Sequence, residues 1–365
     1  MIRSFLCLIF VGLISISCSN YQTDQSITNY TIDFIDKIAI SNSDFADSTR
    51  FGGLSSIDFL GKDNFVLISD DRSEFSPARI YEMKIDFDSS GIKEYALTKT
   101  TFLSKKDKSH FAYNEIDPES IRYRKSTDTY LYGSEGGRTK EWVNPFIWEI
   151  NRAGEFISAV EVPEIFHFRN EKGLRVNGGF EGLTFENDTI IWYANELPLK
   201  EDGDEAGFEV GSFPVRLVRH DIKNNNVLGQ YAYNISHLVQ RPIPEGGFYI
   251  NSVPELLYID NGSLWAIERS YTKGVGNFAK LFQINLEGAT NIKEVNALSK
   301  EEYKAVGKKM ILDFSNFNQK IDNVEGMTFG PNFPDGSKSL LFISDDNFNQ
   351  EQETQLWLFR VKYTD

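Results

Sequence analysis

Gly179-Phe180-Glu181-Gly182-Leu183-Thr184-Phe185, answered by Ile191-Trp192-Tyr193-Ala194-Asn195-Glu196, states most clearly a phrase that recurs along this chain. A short apolar strand opens on an acid, a turn follows at Asn187-Asp188, and a second apolar strand closes on a carboxylate. A second copy is Ile116-Asp117-Pro118-Glu119-Ser120-Ile121 with Tyr130-Leu131-Tyr132-Gly133-Ser134-Glu135. Further copies are Val253-Pro254-Glu255-Leu256-Leu257 with Leu264-Trp265-Ala266-Ile267-Glu268, and Asn323-Val324-Glu325-Gly326-Met327 with Leu341-Phe342-Ile343-Ser344-Asp345-Asp346. The first copy departs from the rest: Gly53-Leu54-Ser55-Ser56-Ile57 has Ser55 in the acidic slot, while Phe65-Val66-Leu67-Ile68-Ser69-Asp70-Asp71 keeps the acidic end. The repeat period of about 60 to 75 residues is long for a solenoid and suits a propeller blade with generous loops.

The reading is therefore all-β, a β-propeller with five countable units and five or six blades. A sixth unit has room in the spacer from Ile292 to Phe314, which also holds a helix-like segment, Lys300-Glu301-Glu302-Tyr303-Lys304-Ala305. Each unit continues into a third strand, such as Phe146-Ile147-Trp148-Glu149-Ile150 or Leu356-Trp357-Leu358-Phe359-Arg360-Val361. Residues Thr31 to Ile40 alternate in polarity with no hairpin partner nearby, and are predicted to close the ring by pairing with the last blade. Although 365 residues would allow two or three domains, radially repeated sheets cover one another's faces and form one closed domain, assigned here to residues 30–365.

The first eighteen residues read as a secretory leader: Met1-Ile2-Arg3, an apolar run from Phe5 to Ile16, then Ser17-Cys18. The Ser-Ile-Ser-Cys ending resembles the lipobox of bacterial lipoproteins, which makes Cys18 the expected lipidation point and residues 19–29 a polar tether. The two cysteines of the chain are Cys7 and Cys18, so the mature body contains no disulfide. An exported protein held to the cell envelope by a lipid is expected. The net charge of −15 argues against nucleic acid as a partner and favours cations.

Hairpin turns at Gly61-Lys62-Asp63-Asn64, Asp260-Asn261-Gly262 and Pro334-Asp335-Gly336 return both acidic positions of each copy to one end of the domain. The expected inner ring is Glu119, Glu181, Glu255 and Glu325, completed by Ser55. Behind it stand Asp70, Asp71, Glu135, Glu196, Glu268, Asp345 and Asp346. Converging carboxylates repel unless some protonate or a cation sits among them. Oxygen-only ligands favour calcium or magnesium. The expected metal ligands are Glu119, Glu181, Glu255, Glu325, Asp70, Asp71, Glu135, Glu196, Glu268 and Asp345, with Glu181 and Glu325 as catalytic carboxylates. Capping of backbone N–H groups on the neighbouring blade is the competing role for the Glu ring. Arg72, Arg138 and Arg269 follow the second acidic position and could clamp a phosphate or simply neutralise the ring. His110, His167, His220 and His237 fall in no repeat slot and read as structural or surface residues. Ser55 leaves a gap in the ring, where access for substrate or water is expected.

The segments Gly52-Gly53-Leu54-Ser55, Ile68-Ser69-Asp70-Asp71-Arg72, Asp117-Pro118-Glu119-Ser120, Asn177-Gly178-Gly179-Phe180-Glu181-Gly182-Leu183 and Ala194-Asn195-Glu196-Leu197-Pro198-Leu199 resemble the phytase-like propeller family called "esterase-like activity of phytase". Ala266-Ile267-Glu268-Arg269, Asp322-Asn323-Val324-Glu325-Gly326 and Ser344-Asp345-Asp346-Asn347-Phe348 continue that likeness. It implies a secreted or surface-anchored bacterial propeller that hydrolyses phosphoesters. A metal-dependent hydrolase of a small phosphoester is expected, against a non-catalytic propeller that binds a cation, glycan or protein at the same mouth.

Overall fold

A computed structural model describes residues 29–41, 43, 45, 49–259 and 262–364. The leader, Cys18, the tether up to residue 28 and the turn residues Asp260 and Asn261 lie outside the described residues.

Strand β1 (Asn29–Ile40) comes first in the chain and belongs to the last blade. Blade 1 is β2 (Leu54–Gly61), β3 (Asn64–Ser69), β4 (Arg79–Asp88) and β5 (Gly91–Phe102). Blade 2 is β6 (Pro118–Arg124), β7 (Thr129–Ser134), β10 (Phe146–Ile150) and β11 (Phe156–Val160); a small ribbon, β8 (Gly137–Arg138) with β9 (Trp142–Val143), rises from its β7–β10 connection. Blade 3 is β12 (Phe180–Phe185), β13 (Ile190–Asn195), β14 (Pro214–Asp221) and β15 (Asn226–Asn234). Blade 4 is β16 (Tyr249–Tyr258), β17 (Leu264–Thr272), β18 (Gly276–Asn285) and β19 (Gly307–Asp313). Blade 5 is β20 (Asn323–Phe329), β21 (Lys338–Asp345) and β22 (Thr354–Thr364), completed by β1.

Every sheet is antiparallel, and β1 runs beside β22 from Thr31↔Lys362 to Ile40↔Thr354, as the alternating N-terminal stretch predicted. This pairing ties the first and last strands of the described residues into one sheet and closes the ring. The core is a set of inter-blade wedges, which follows from strands that are apolar on both faces. In β21, Leu340 and Phe342 pack towards blade 4 with Trp265, Ile267 and Leu281, while Leu341 and Ile343 pack towards blade 1 with Leu54, Ile57 and Leu67. Successive side chains thus serve successive interfaces.

The described residues form five blades. The spacer from Ile292 to Phe314 supplies β19 as the fourth strand of blade 4. The Lys300–Ala305 segment is not a helix. Its neighbourhood runs along the outer strand of blade 3, where Ile292 N–H donates to the Gln230 carbonyl at 2.8 Å and Val306 N–H to the Ala232 carbonyl at 2.9 Å. Ile292, Leu298 and Ala232 bury together there, and that packing overrides the local helical preference.

Candidate functional site

Each inner strand carries a register irregularity where it reaches the mouth of the ring. In β6 it falls between Pro118 and Ser120, in β12 between Phe180 and Leu183, in β20 between Val324 and Gly326, and in β2 between Leu54 and Ser56. A bulge leaves its extra residue unpaired and re-aims the side chain. The bulged residues are Glu119, Glu181, Glu325 and Ser55, which explains why these slots recur. The glycine after the acid also has a packing reason. A Cβ at Gly326 would stand 2.9 Å from Ser56 Cα on blade 1, and one at Gly182 would stand 2.8 Å from Leu256 Cγ on blade 4.

Blade 4 is out of step. Its irregularity between Ser252 and Glu255 takes up Val253 and Pro254, so Glu255 pairs with Ile267 where Gly326 pairs with Ile343 in blade 5. Glu255 therefore stands below the ring. It meets Arg122 Nη2 at 2.6 Å and accepts from Ser56 Oγ at 3.1 Å, while Arg122 also donates to the carbonyls of Ile57 and Leu256. This ion pair joins blades 2 and 4 across the centre and crosses the channel beneath the mouth. Glu268 is displaced as well: it accepts from Tyr233 Oη at 2.7 Å and from Ser236 N–H at 3.0 Å, and pairs with Lys308 at the junction of blades 3 and 4. Asp71 turns away from the mouth. It accepts from the N–H groups of Glu74, Phe75 and Ser76 and binds Arg79 at 2.6 Å, both side chains being fully buried. Glu255, Glu268 and Asp71 were expected among the metal ligands, but their oxygens are instead engaged by structural partners.

The remaining acids converge. Asp70, Glu119, Glu181, Glu196, Glu325 and Asp345 line one cleft of about 860 Å³ together with Arg72, Asn177, Arg269 and Asn323. Asp117 and Glu135 lie against them. One oxygen each from Asp117, Glu119 and Glu135 falls within 4.8 Å of the others, and the same holds for Glu135, Glu181 and Glu196. Glu135 is common to both triads and accepts a hydrogen bond from Gly179 N–H of blade 3. Asp117 was not among the expected ligands, although its position before Pro118, the first residue of an inner strand, could have flagged it. Ser55 is 3 % exposed and does not line the cleft. Blades 4 and 5 supply Phe248, Ile250, Tyr271 and Ile321 to its wall. None of the four histidines lines it; His220, for one, is buried beside Tyr193 Oη at 3.3 Å.

Burial pushes the carboxyls of Asp70, Glu119, Glu135, Glu181 and Asp345 well above their ordinary range, and neighbouring carboxylates push them further. Burial raises Glu196 too, against the pull of Arg269. Glu325 reaches about 7 through burial, restrained by Arg269 and a hydrogen bond from Asn323. Arg269 lies inside the cluster, donating to Glu325 at 2.9 Å and Glu196 at 3.2 Å, so its fork neutralises the ring. Arg72 and Arg138 sit side by side at the rim. Arg72 donates Nε–H to Asp117 at 2.7 Å and Nη2–H to Asn177 Oδ1 at 2.6 Å, and Arg138 Nη2–H reaches the same oxygen at 3.1 Å.

The residues fit a hard divalent cation. Eight carboxylates meet few guanidinium groups, and both Asp70 Oδ1 and Glu196 Oε2 are buried without a hydrogen-bond partner. Such orphaned oxygens are costly in a protein and are suited to calcium or magnesium. Backbone capping accounts for Glu135 and leaves those two oxygens unexplained.

No curated protein matches the sequence. Among solved structures, a bifunctional GH43-CE protein of Bacteroides eggerthii is similar at a TM-score of 0.44 and 10% identity, over 90% of this chain and 35% of that one. An α-L-arabinofuranosidase from Lactobacillus brevis has a TM-score of 0.43 at 10% identity, over 89% and 95% of the two chains. The catalytic domain of the Coprinopsis cinerea GH62 α-L-arabinofuranosidase has a TM-score of 0.43 at 9% identity, over 91% and 97%. The chain thus spans about a third of the first of these, and at such similarity none bears on substrate or reaction. The sequence model of the phytase-like family, described as esterase-like activity of phytase, matches residues 49–348, and this propeller with its carboxylate mouth belongs to that family.

Proposed function

We propose that the protein is a calcium- or magnesium-dependent phosphoester hydrolase acting on a small molecule at the carboxylate mouth. The observation that carries this reading is the coincidence, in one cleft, of two oxygen triads sharing Glu135 with the Arg72–Arg138 pair at the rim. Asp117, Glu119, Glu135, Glu181 and Glu196 would hold the cation, with Asp70 and Asp345 nearby. A bound cation of this kind polarises a phosphoryl oxygen and lowers the pKa of water.

The chain's own residues supply the rest. Arg72 and Arg138 present planar donors suited to the oxygens of a phosphoryl group, and Asn177 and Asp117 fix their orientation. Glu325, pushed to about 7, is poised to take a proton from an attacking water at neutral pH. Arg269 holds Glu325 and Glu196 in place from inside the ring and touches no substrate in this scheme. We further propose export and attachment to the cell envelope through a lipid on Cys18; lipid labelling should disappear in Cys18→Ser.

A panel of phosphate and carboxylate esters, assayed with calcium, with magnesium and with chelator, tests the reading. Phosphate release that chelator and Glu181→Gln each reduce by about a hundredfold or more supports it. Full activity under both conditions rules out the metal-ring mechanism.

A further inference from the structure

Blade 4 lacks a carboxylate at the ring and carries something else above it. In β16 and β17 the pairing continues beyond Ser252↔Arg269 through Asn251↔Ser270, Ile250↔Tyr271 and Tyr249↔Thr272, and β17 pairs on with β18 as far as Thr272↔Gly276. The other inner strands begin at or within one pair of the ring level. The extension makes a three-stranded tongue, and Phe248, Ile250, Tyr271, Val275 and Phe278 from it line the same cleft as the carboxylates, joined by Ile321. Phe248 is 62 % exposed, and its ring lies 6.1 Å from that of Tyr271. Phe248, Ile250, Tyr271, Val275 and Phe278 belong to none of the hydrophobic clusters that hold the blades together, whereas Ile321 packs against the cluster between blades 4 and 5.

Several polar groups on that flank are occupied. Asn277 and Gln352 donate to Asp322, and Asn323 donates to Glu325. Lys320 pairs with Asp322 and Glu353. The tongue therefore offers area for apolar contact, and the polar groups named beside it are already engaged. Arg72 and Arg138 stand at the rim, Lys320 in the cleft wall is already paired with Asp322 and Glu353, and a molecule with many phosphates would set the surplus against Asp70, Glu119 and Glu181.

We infer that the substrate is an aryl phosphoester: one phosphoryl group is held at the arginine rim and the carboxylate mouth, and the aromatic alcohol lies against the Phe248–Tyr271–Val275 tongue, in preference to a densely phosphorylated polyol. The inference rests on the phosphoester reading of the cleft. Aromatic contact of this kind favours offset or edge geometries and adds to simple area burial.

Two phosphonates that cannot be hydrolysed test it by calorimetry on the full chain with calcium. 1-Naphthylmethylphosphonate should bind at least about tenfold more tightly than methylphosphonate, an advantage expected from partial burial of one aromatic group. In Tyr271→Ser and in Val275→Asn, the second of which removes no ring, that ratio should fall to within about threefold of unity. Equal affinities in the wild type, binding of neither phosphonate, or a ratio that survives both substitutions overturns the inference. Failure of the hydrolase reading looks different: the naphthyl preference stands while no ester is turned over.

Discussion

A carboxylate out of water needs a proton, a positive charge or hydrogen-bond donors, and neighbouring acids here use different solutions. Asp71 has three backbone donors and Arg79, whereas Asp70 beside it keeps one oxygen with no partner. Asp71→Ala should therefore cost about 3–5 kcal/mol in denaturant unfolding, because Arg79 is left buried and unpaired; a loss below about 1 kcal/mol contradicts that role. Asp70→Asn should do the reverse in chelator, raising the melting temperature of the metal-free protein while weakening calcium binding. Function of this kind is commonly held at the expense of stability. The sequence Ser69-Asp70-Asp71-Arg72 gives no means of telling the two acids apart, because the answer lies in Arg79, on the next strand. Arg269 was similarly ambiguous: its place after Glu268 suits a clamp or a neutralising charge, and only the fold shows its contacts with Glu196 and Glu325.

At the level of elements, the alternation in Thr31–Ile40 and the repeated hairpins made the closed ring legible, since blade faces must bury both sides of each central strand. Phe34 on β1 packs against Phe317, Trp357 and Phe359 with centroid separations of 5.2, 5.8 and 5.6 Å. Phe34→Ala should cost about 3 kcal/mol by loosening this closure, measurable by denaturant unfolding; a change within about 0.5 kcal/mol would show that the strand closes the ring through its backbone alone. Blade 4 was the element least legible from sequence. Val253-Pro254-Glu255 matches the pattern of an acid opening a strand, yet Pro254 and Val253 fall inside the register irregularity and carry Glu255 past the mouth. A shift of a single position is invisible in the pattern and decisive in space. The tongue escaped notice for a related reason: Phe248, Ile250 and Tyr271 look like ordinary strand residues until the pairing is seen to outrun the ring.

For the molecule as a whole, the carboxylate mouth couples stability to pH and, on the proposed metal-binding reading, to cations. Glu325 at the mouth and Glu255 beneath it are each pushed from 4.5 to about 7, chiefly by burial, and the other mouth acids shift in the same direction. Between those values the native chain holds protons that the unfolded chain has released, so metal-free stability falls as pH rises from about 4.5 through about 7. In chelator, the melting temperature should be higher at about pH 5 than at about pH 8, and calcium should raise it more at the higher pH, where cation no longer competes with proton. Equal calcium shifts at both pH values would show that the mouth acids are not the binding groups. The net charge of −15 is compatible with the proposed cation binding, but scattered surface acids account for much of it. Calorimetric titration of calcium into chelator-stripped protein at about pH 8 addresses the carboxylate ring most directly, because Glu135 belongs to both triads. The expected result is saturable binding that Glu135→Gln weakens by at least about tenfold; no binding by the wild type, or the same affinity in Glu135→Gln, would contradict it.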